Sequence, residues 1–135
     1  MVKRSYLLMP LFVLFLLASP SYGEPCIVIA EIMYHPAEDG EVLEFIELYN
    51  PEPPRVDLSQ WRITGEIDCA FPPGTVLLPG KRLVIARAPA LLKKVYSIKE
   101  TVLPFAGRLG NGGGRISLVN PAGIRAFTVR YDDDA

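Results

Sequence analysis

Prolines and glycines divide this chain so closely that they limit its fold more than any other feature. One or both interrupt it at 36–40, 51–54, 65, 72–74, 79–80, 107–114 and 121–123. Proline lacks the amide donor that helices and central strands require, and glycine favours turns. The pieces between are short and rich in β-branched and aromatic residues: 27–34, 43–49, 61–64, 67–71, 75–78, 82–86, 115–119 and 124–131. Turn signals roughly 8–12 residues apart predict an all-β chain, a sandwich or barrel. A parallel α/β sheet would need several crossover helices, and only one candidate exists. It spans 89–96, where Pro89 suits a first turn and Leu91, Leu92, Val95 and Tyr96 recur at helical spacing.

The run Glu44-Phe45-Ile46-Glu47-Leu48-Tyr49-Asn50 places Ile46 and Leu48 on one strand face and Glu47 and Tyr49 on the other. By that alternation Glu44 and Glu47 point to opposite faces, and these acidic residues are expected on the outward side of a sandwich. Asp57 and Ser59 can bend the chain by bonding nearby backbone, and Leu58, Trp61 and Ile63 supply apolar anchors. Ile67, Cys69 and Phe71 alternate inward along a further strand.

Residues 1–23 fall outside any such fold. Lys3 and Arg4 precede an apolar run from Leu7 to Ala18, and Ser21 and Gly23 put small residues before Glu24. This is the layout of a cleaved secretory signal peptide. The apolar run is shorter than the roughly 20 residues of a spanning helix, so no membrane span is expected in the mature chain. Residues 24–135 are one domain's worth. Removing Lys3 and Arg4 from 14 basic and 15 acidic residues leaves that domain net acidic, which disfavours nucleic acid as a partner. In an oxidising compartment Cys26 and Cys69 form a candidate disulfide, with two separate thiols as the alternative.

Read in order, the motifs are Ile29-Ala30-Glu31-Ile32-Met33-Tyr34-His35-Pro36, then the 44–50 run, then Val56-Asp57-Leu58-Ser59-Gln60-Trp61-Arg62-Ile63-Thr64-Gly65. Phe71-Pro72-Pro73-Gly74-Thr75, Leu78-Pro79-Gly80 and Leu83-Val84-Ile85-Ala86-Arg87 follow. The succession resembles the lamin tail domain family, in the form carried by secreted bacterial proteins, over roughly 26–132. Ala30 stands where that family commonly has Asn, Gln60 where it has Gly, and the two cysteines are outside its pattern. The resemblance implies an immunoglobulin-like β-sandwich with one short helix, acting as a binding or tethering module. It also tends to run beyond Tyr131, so Asp132-Asp133-Asp134-Ala135 reads either as an acidic tail or as the front of a longer product.

Residues able to do chemistry are sparse. Glu31 and His35, the only histidine, cannot complete a zinc site, which takes three or four protein ligands. Glu44 and Glu47 do not make a glycosidase pair if they face apart. Asp132, Asp133 and Asp134, with Asp39, lack the spacing of a calcium loop. Gly110-Asn111-Gly112-Gly113-Gly114 lacks the Lys-Ser/Thr of a phosphate-binding loop. No serine has a triad around it, and Trp61 reads as a core anchor.

The expectation is therefore a non-catalytic, secreted domain without cofactor or metal, binding a protein or an extracellular polymer. Recognition is expected from loops at 35–41, 50–55 and 107–114 and the adjoining Arg115, the candidate residues being His35, Asp39, Glu41, Arg55, Arg108, Asn111 and Arg115. The alternative expectation is an accessory module at the front of a longer exported enzyme, a nuclease, phosphoesterase or spore-coat-kinase-like protein.

Overall fold

The computed structural model describes residues 26–36, 40–51 and 53–132, with the side chains of 40 and 41 excepted. The signal-peptide reading of 1–23 and the aspartates 39, 133 and 134 lie outside these residues. Eleven strands follow one another: β1 (Val28–Met33), β2 (Phe45–Tyr49), β3 (Val56–Asp57), β4 (Arg62–Gly65), β5 (Ile67–Ala70), β6 (Val76–Leu77), β7 (Arg82–Ala86), β8 (Val102–Pro104), β9 (Ala106–Gly107), β10 (Gly114–Val119) and β11 (Arg125–Tyr131). A 3-10 turn (Gly40–Leu43) precedes β2, and the one α-helix among the described residues, α1 (Pro89–Tyr96), lies between β7 and β8.

The strands form an immunoglobulin-like sandwich. One sheet has the order β1-β2-β7-β8, the other β11-β10-β4-β5-β9, and β3 and β6 make a small ribbon. All pairings are antiparallel except β7 with β8. A parallel pair needs a crossover, and α1 is that crossover. After β8 the chain passes Phe105, 6% exposed, and joins the opposite sheet as β9. One extended segment thus closes that flank of the sandwich. On the other flank the first and last strands meet, where Tyr34 and Tyr131 stack with ring centroids 4.9 Å apart.

Alternation fills the space between the sheets. Ile46 and Leu48 of β2, Ile63 of β4, Ile85 of β7 and Ile116 and Leu118 of β10 are fully buried, with Trp61, Cys69 and Phe71 in the same cluster. A second, smaller cluster lies on the outer face of the four-stranded sheet, where Leu92 of α1 covers Leu43, Ala86 and Val102. The helix ends at Ser97, whose φ of 54° is left-handed, and Ile98 N–H donates to Lys93 O at 3.0 Å.

Two local devices set the register. Ser59 N–H donates to Asp57 Oδ1 at 2.9 Å, and the Ser59 hydroxyl accepts from Gly74 N–H at 2.8 Å. The Ser59 side chain, then its amide, hold the Asp57 carboxyl below the usual carboxylate range. Gln60 at the tip of this corner has φ of 65°, the left-handed region glycine adopts freely. The second device is a bulge in β1. Ile29 faces Leu48 and Glu31 faces Glu47, so Ala30 is an extra residue that breaks the register. Beyond it Ile32 packs on the core opposite Ile46, while Glu31 and Met33 turn to the outer face with Glu47 and Phe45.

Candidate binding surface

Strand direction assigns each candidate residue to an end of the sandwich. β1 and β11 finish at the end where β2 and β10 begin. His35, Arg108, Asn111 and Arg115 all gather there and are exposed. Glu41 belongs to the 3-10 turn at the same end. Arg55, also exposed, follows β2 and lies at the opposite end. The 50–55 loop is therefore separate from the other two: five of the seven residues share one end, Arg55 lies at the other, and Asp39 is outside the described residues.

The loops at the first end rest on a buried carboxylate. Glu44 is 0% exposed, and its Oε2 accepts from Leu109 N–H at 3.0 Å, with Arg87 Nη1 at 3.9 Å. Arg87 N–H in turn donates to Glu44 O at 3.0 Å. This corrects the outward placement of Glu44. It shares the inward parity of Ile46 and Leu48, which the expectation set aside because the residue is charged, and it points under the 107–110 segment. Glu47 does face outward, where Arg82 pairs with it and lays its guanidinium 4.6 Å from the Tyr49 ring centroid.

The glycine-rich turn packs against the last strand. Gly113 N–H donates to Gly110 O at 3.2 Å, and a Cβ on Gly113, whose φ is +103°, would lie 2.6 Å from Tyr131 O. Burial pushes the Tyr131 phenol up; the Gly110 backbone partly offsets this, and the Glu66 and Glu44 carboxylates add to the rise. Tyr34 hydroxyl donates to Asp132 O at 3.1 Å, tying the 34–36 exit to the end of β11. Gly114 opens β10, so the loop reading of 107–114 holds only for its interior.

The opposite end is fastened by Asn50, 1% exposed, whose Nδ2 donates to Leu77 O at 3.0 Å and Pro54 O at 3.2 Å. In the sequence Asn50 stands only as the last residue of the 44–50 run and the first of the 50–55 loop; its place between a strand end and Pro51 was the available signal.

Of the two expectations for Cys26 and Cys69, a disulfide or separate thiols, the structure has the second: both are free. Cys69 faces the core from β5, whereas Cys26 is exposed ahead of β1 in the other sheet. Burial, then the Asp68 charge, pushes the Cys69 thiol up to about 11. Among the described residues no three His, Cys, Asp or Glu side chains gather as a metal site. None of their helices is long and apolar enough to cross a membrane.

Chemically, this end offers a histidine, an amide and two guanidinium groups on a fixed base, an arrangement fitted to hydrogen bonding and charge pairing. No curated protein matches the chain. A family model described as Lamin Tail Domain matches residues 20–133, nearly its whole length. With the sandwich, its single crossover helix and this match together, the chain belongs to the lamin tail domain family.

Proposed function

We propose that this is an exported, non-enzymatic lamin tail domain that binds a macromolecular partner through the end of the sandwich carrying His35, Arg108, Asn111 and Arg115. One observation carries the reading. Exposed polar side chains from separate loops stand on a base held by the Glu44–Leu109 hydrogen bond and the Tyr34–Tyr131 stack. Loops presented by a rigid scaffold are the usual location of recognition, because ordering costs are met by the fold rather than at binding. Export is supported by the charged, apolar and small-residue sequence of 1–23.

The test has two parts. The full chain, expressed with its leader in a bacterial host, is expected outside the cytoplasm with Glu24 at its N-terminus; an intact Met1 in the cytoplasm refutes export. The exported protein is then titrated by surface plasmon resonance against envelope proteins, extracellular polysaccharides and duplex DNA. Saturable binding to a protein or polysaccharide, weakened by the triple substitution Arg108→Ala, Asn111→Ala, Arg115→Ala, is expected. Binding that the triple variant retains in full refutes the assignment to this end.

A further inference from the structure

A second surface lies away from the loops, on the outer face of the four-stranded sheet. There α1 packs on β7 and β8, and a trough of about 310 Å³ runs along its side toward β1 and the start of β2. Met33, Phe45 and Val84 floor the trough, and Leu92, Tyr96 and Ile98 wall it. Tyr96 is 52% exposed although its ring meets the Phe45 edge at a centroid distance of 6.5 Å. An aromatic residue half in water on an apolar wall is a contact surface that the fold itself does not use up.

The rim is acidic. Glu31 and Glu47 are direct cross-strand partners, and two like charges so placed repel. The Ala30 bulge is what creates the pair: without the extra residue Glu31 would share the inward phase of Ile29. Arg82 answers Glu47. The Glu31 carboxylate has no ion pair or hydrogen bond among the described residues, and the residue is exposed. One uncompensated carboxylate therefore stands over an apolar floor beside an exposed tyrosine ring. This combination fits a cation with an apolar body, because the carboxylate and the ring face both attract positive charge.

We propose that this trough docks a segment of a partner polypeptide presenting a lysine or arginine flanked by apolar side chains. The volume is at the bottom of the range of roughly 300–1,000 Å³ seen for small-molecule sites, which suits a few anchor side chains better than an enclosed ligand. The trough also opens at β1, the terminal strand of its sheet, so an extended chain can run along it. The site stands apart from the loop-bearing end and does not depend on it.

Fluorescence anisotropy of the exported protein with a short labelled peptide alternating leucine and arginine tests this. Saturable binding is expected, weakened about tenfold or more by Glu31→Lys and by Tyr96→Ala, as for removal of a central anchor. Both side chains are exposed, and circular dichroism of each variant confirms that it folds. The same peptide with glutamate for arginine is expected not to bind. Methyl NMR shifts on adding the arginine peptide should centre on Met33 and Leu92. No saturable binding, equal binding by the Glu31→Lys variant, equal binding of hexylamine alone, or shifts centred on the 107–114 loop would each overturn the proposal.

Discussion

Glu44 and Leu109, 65 residues apart in sequence, share a buried hydrogen bond that joins the start of β2 to the glycine-rich segment. A carboxylate at 0% exposure is stable in such a place only while its donors are kept. Replacing it by alanine leaves the Leu109 amide and the Arg87 guanidinium without this acceptor. Glu44→Ala is expected to lower stability by about 2–4 kcal/mol, measured by urea unfolding. Hydrogen exchange should show the Leu109 amide losing protection more than amides in β4. Uniform loss across the sandwich would contradict the local role of this bond.

Gln60 occupies a left-handed backbone conformation at the corner before Trp61. An L-residue there carries strain of about 1–2 kcal/mol, part of which glycine gives back as chain entropy. Gln60→Gly is therefore expected to raise stability by about 0.5–1 kcal/mol, visible as a higher melting temperature. Gln60→Val should lower it, because a β-branched side chain suits this region least.

Cys69 gives the protein an alkaline weakness. Its thiol titrates near 9.0 when unfolded and about 11 in the fold. Between these values the unfolded chain has released a proton that the native state keeps, so stability falls as pH rises. The contribution is complete below about pH 9 and is lost as pH rises through 11. Cys69→Ala should flatten this part of the stability profile. In the native protein at pH 8, iodoacetamide should modify Cys26 and spare Cys69, a difference read by mass spectrometry.

Arg115 and Arg130 are direct cross-strand partners at exposed positions. Like charges placed so repel by a few tenths of a kcal/mol, about the size of other sheet pairs. Arg130→Glu should raise the melting temperature slightly in low salt, and the gain should shrink as salt screens the new pair. A gain insensitive to salt would mean that charge is not its cause.

The parts legible in sequence were those set by chemistry within a few residues. The strand at 82–86 and the helix at 89–96 emerge with the predicted bounds, because Pro79-Gly80 and Pro89 punctuate them. β8 and β9 were not legible: they are two or three residues long, and Pro104 is tolerated only because β8 is an edge. Glu44 was misplaced because its charge was weighed above its parity with Ile46 and Leu48, and Glu31 was not placed because a bulge changes phase silently. His35, Arg55, Arg108, Asn111 and Arg115 are exposed, but their separation into two ends needed the pairing of strands. The acidic rim of the trough needed it too, since Glu31 and Glu47 meet only through the β1–β2 register.

The flank where β1 and β11 meet has a mechanical consequence. Both strands end at the Tyr34–Tyr131 contact, so they run in the same direction, and the chain enters at one end of the sandwich and leaves at the other. Tension between the two termini then acts along the strands. It loads the β1–β2 and β10–β11 ladders in shear, with their bonds sharing the force together instead of opening one by one. A domain threaded in this way bears pulling along its strands like a link in a chain.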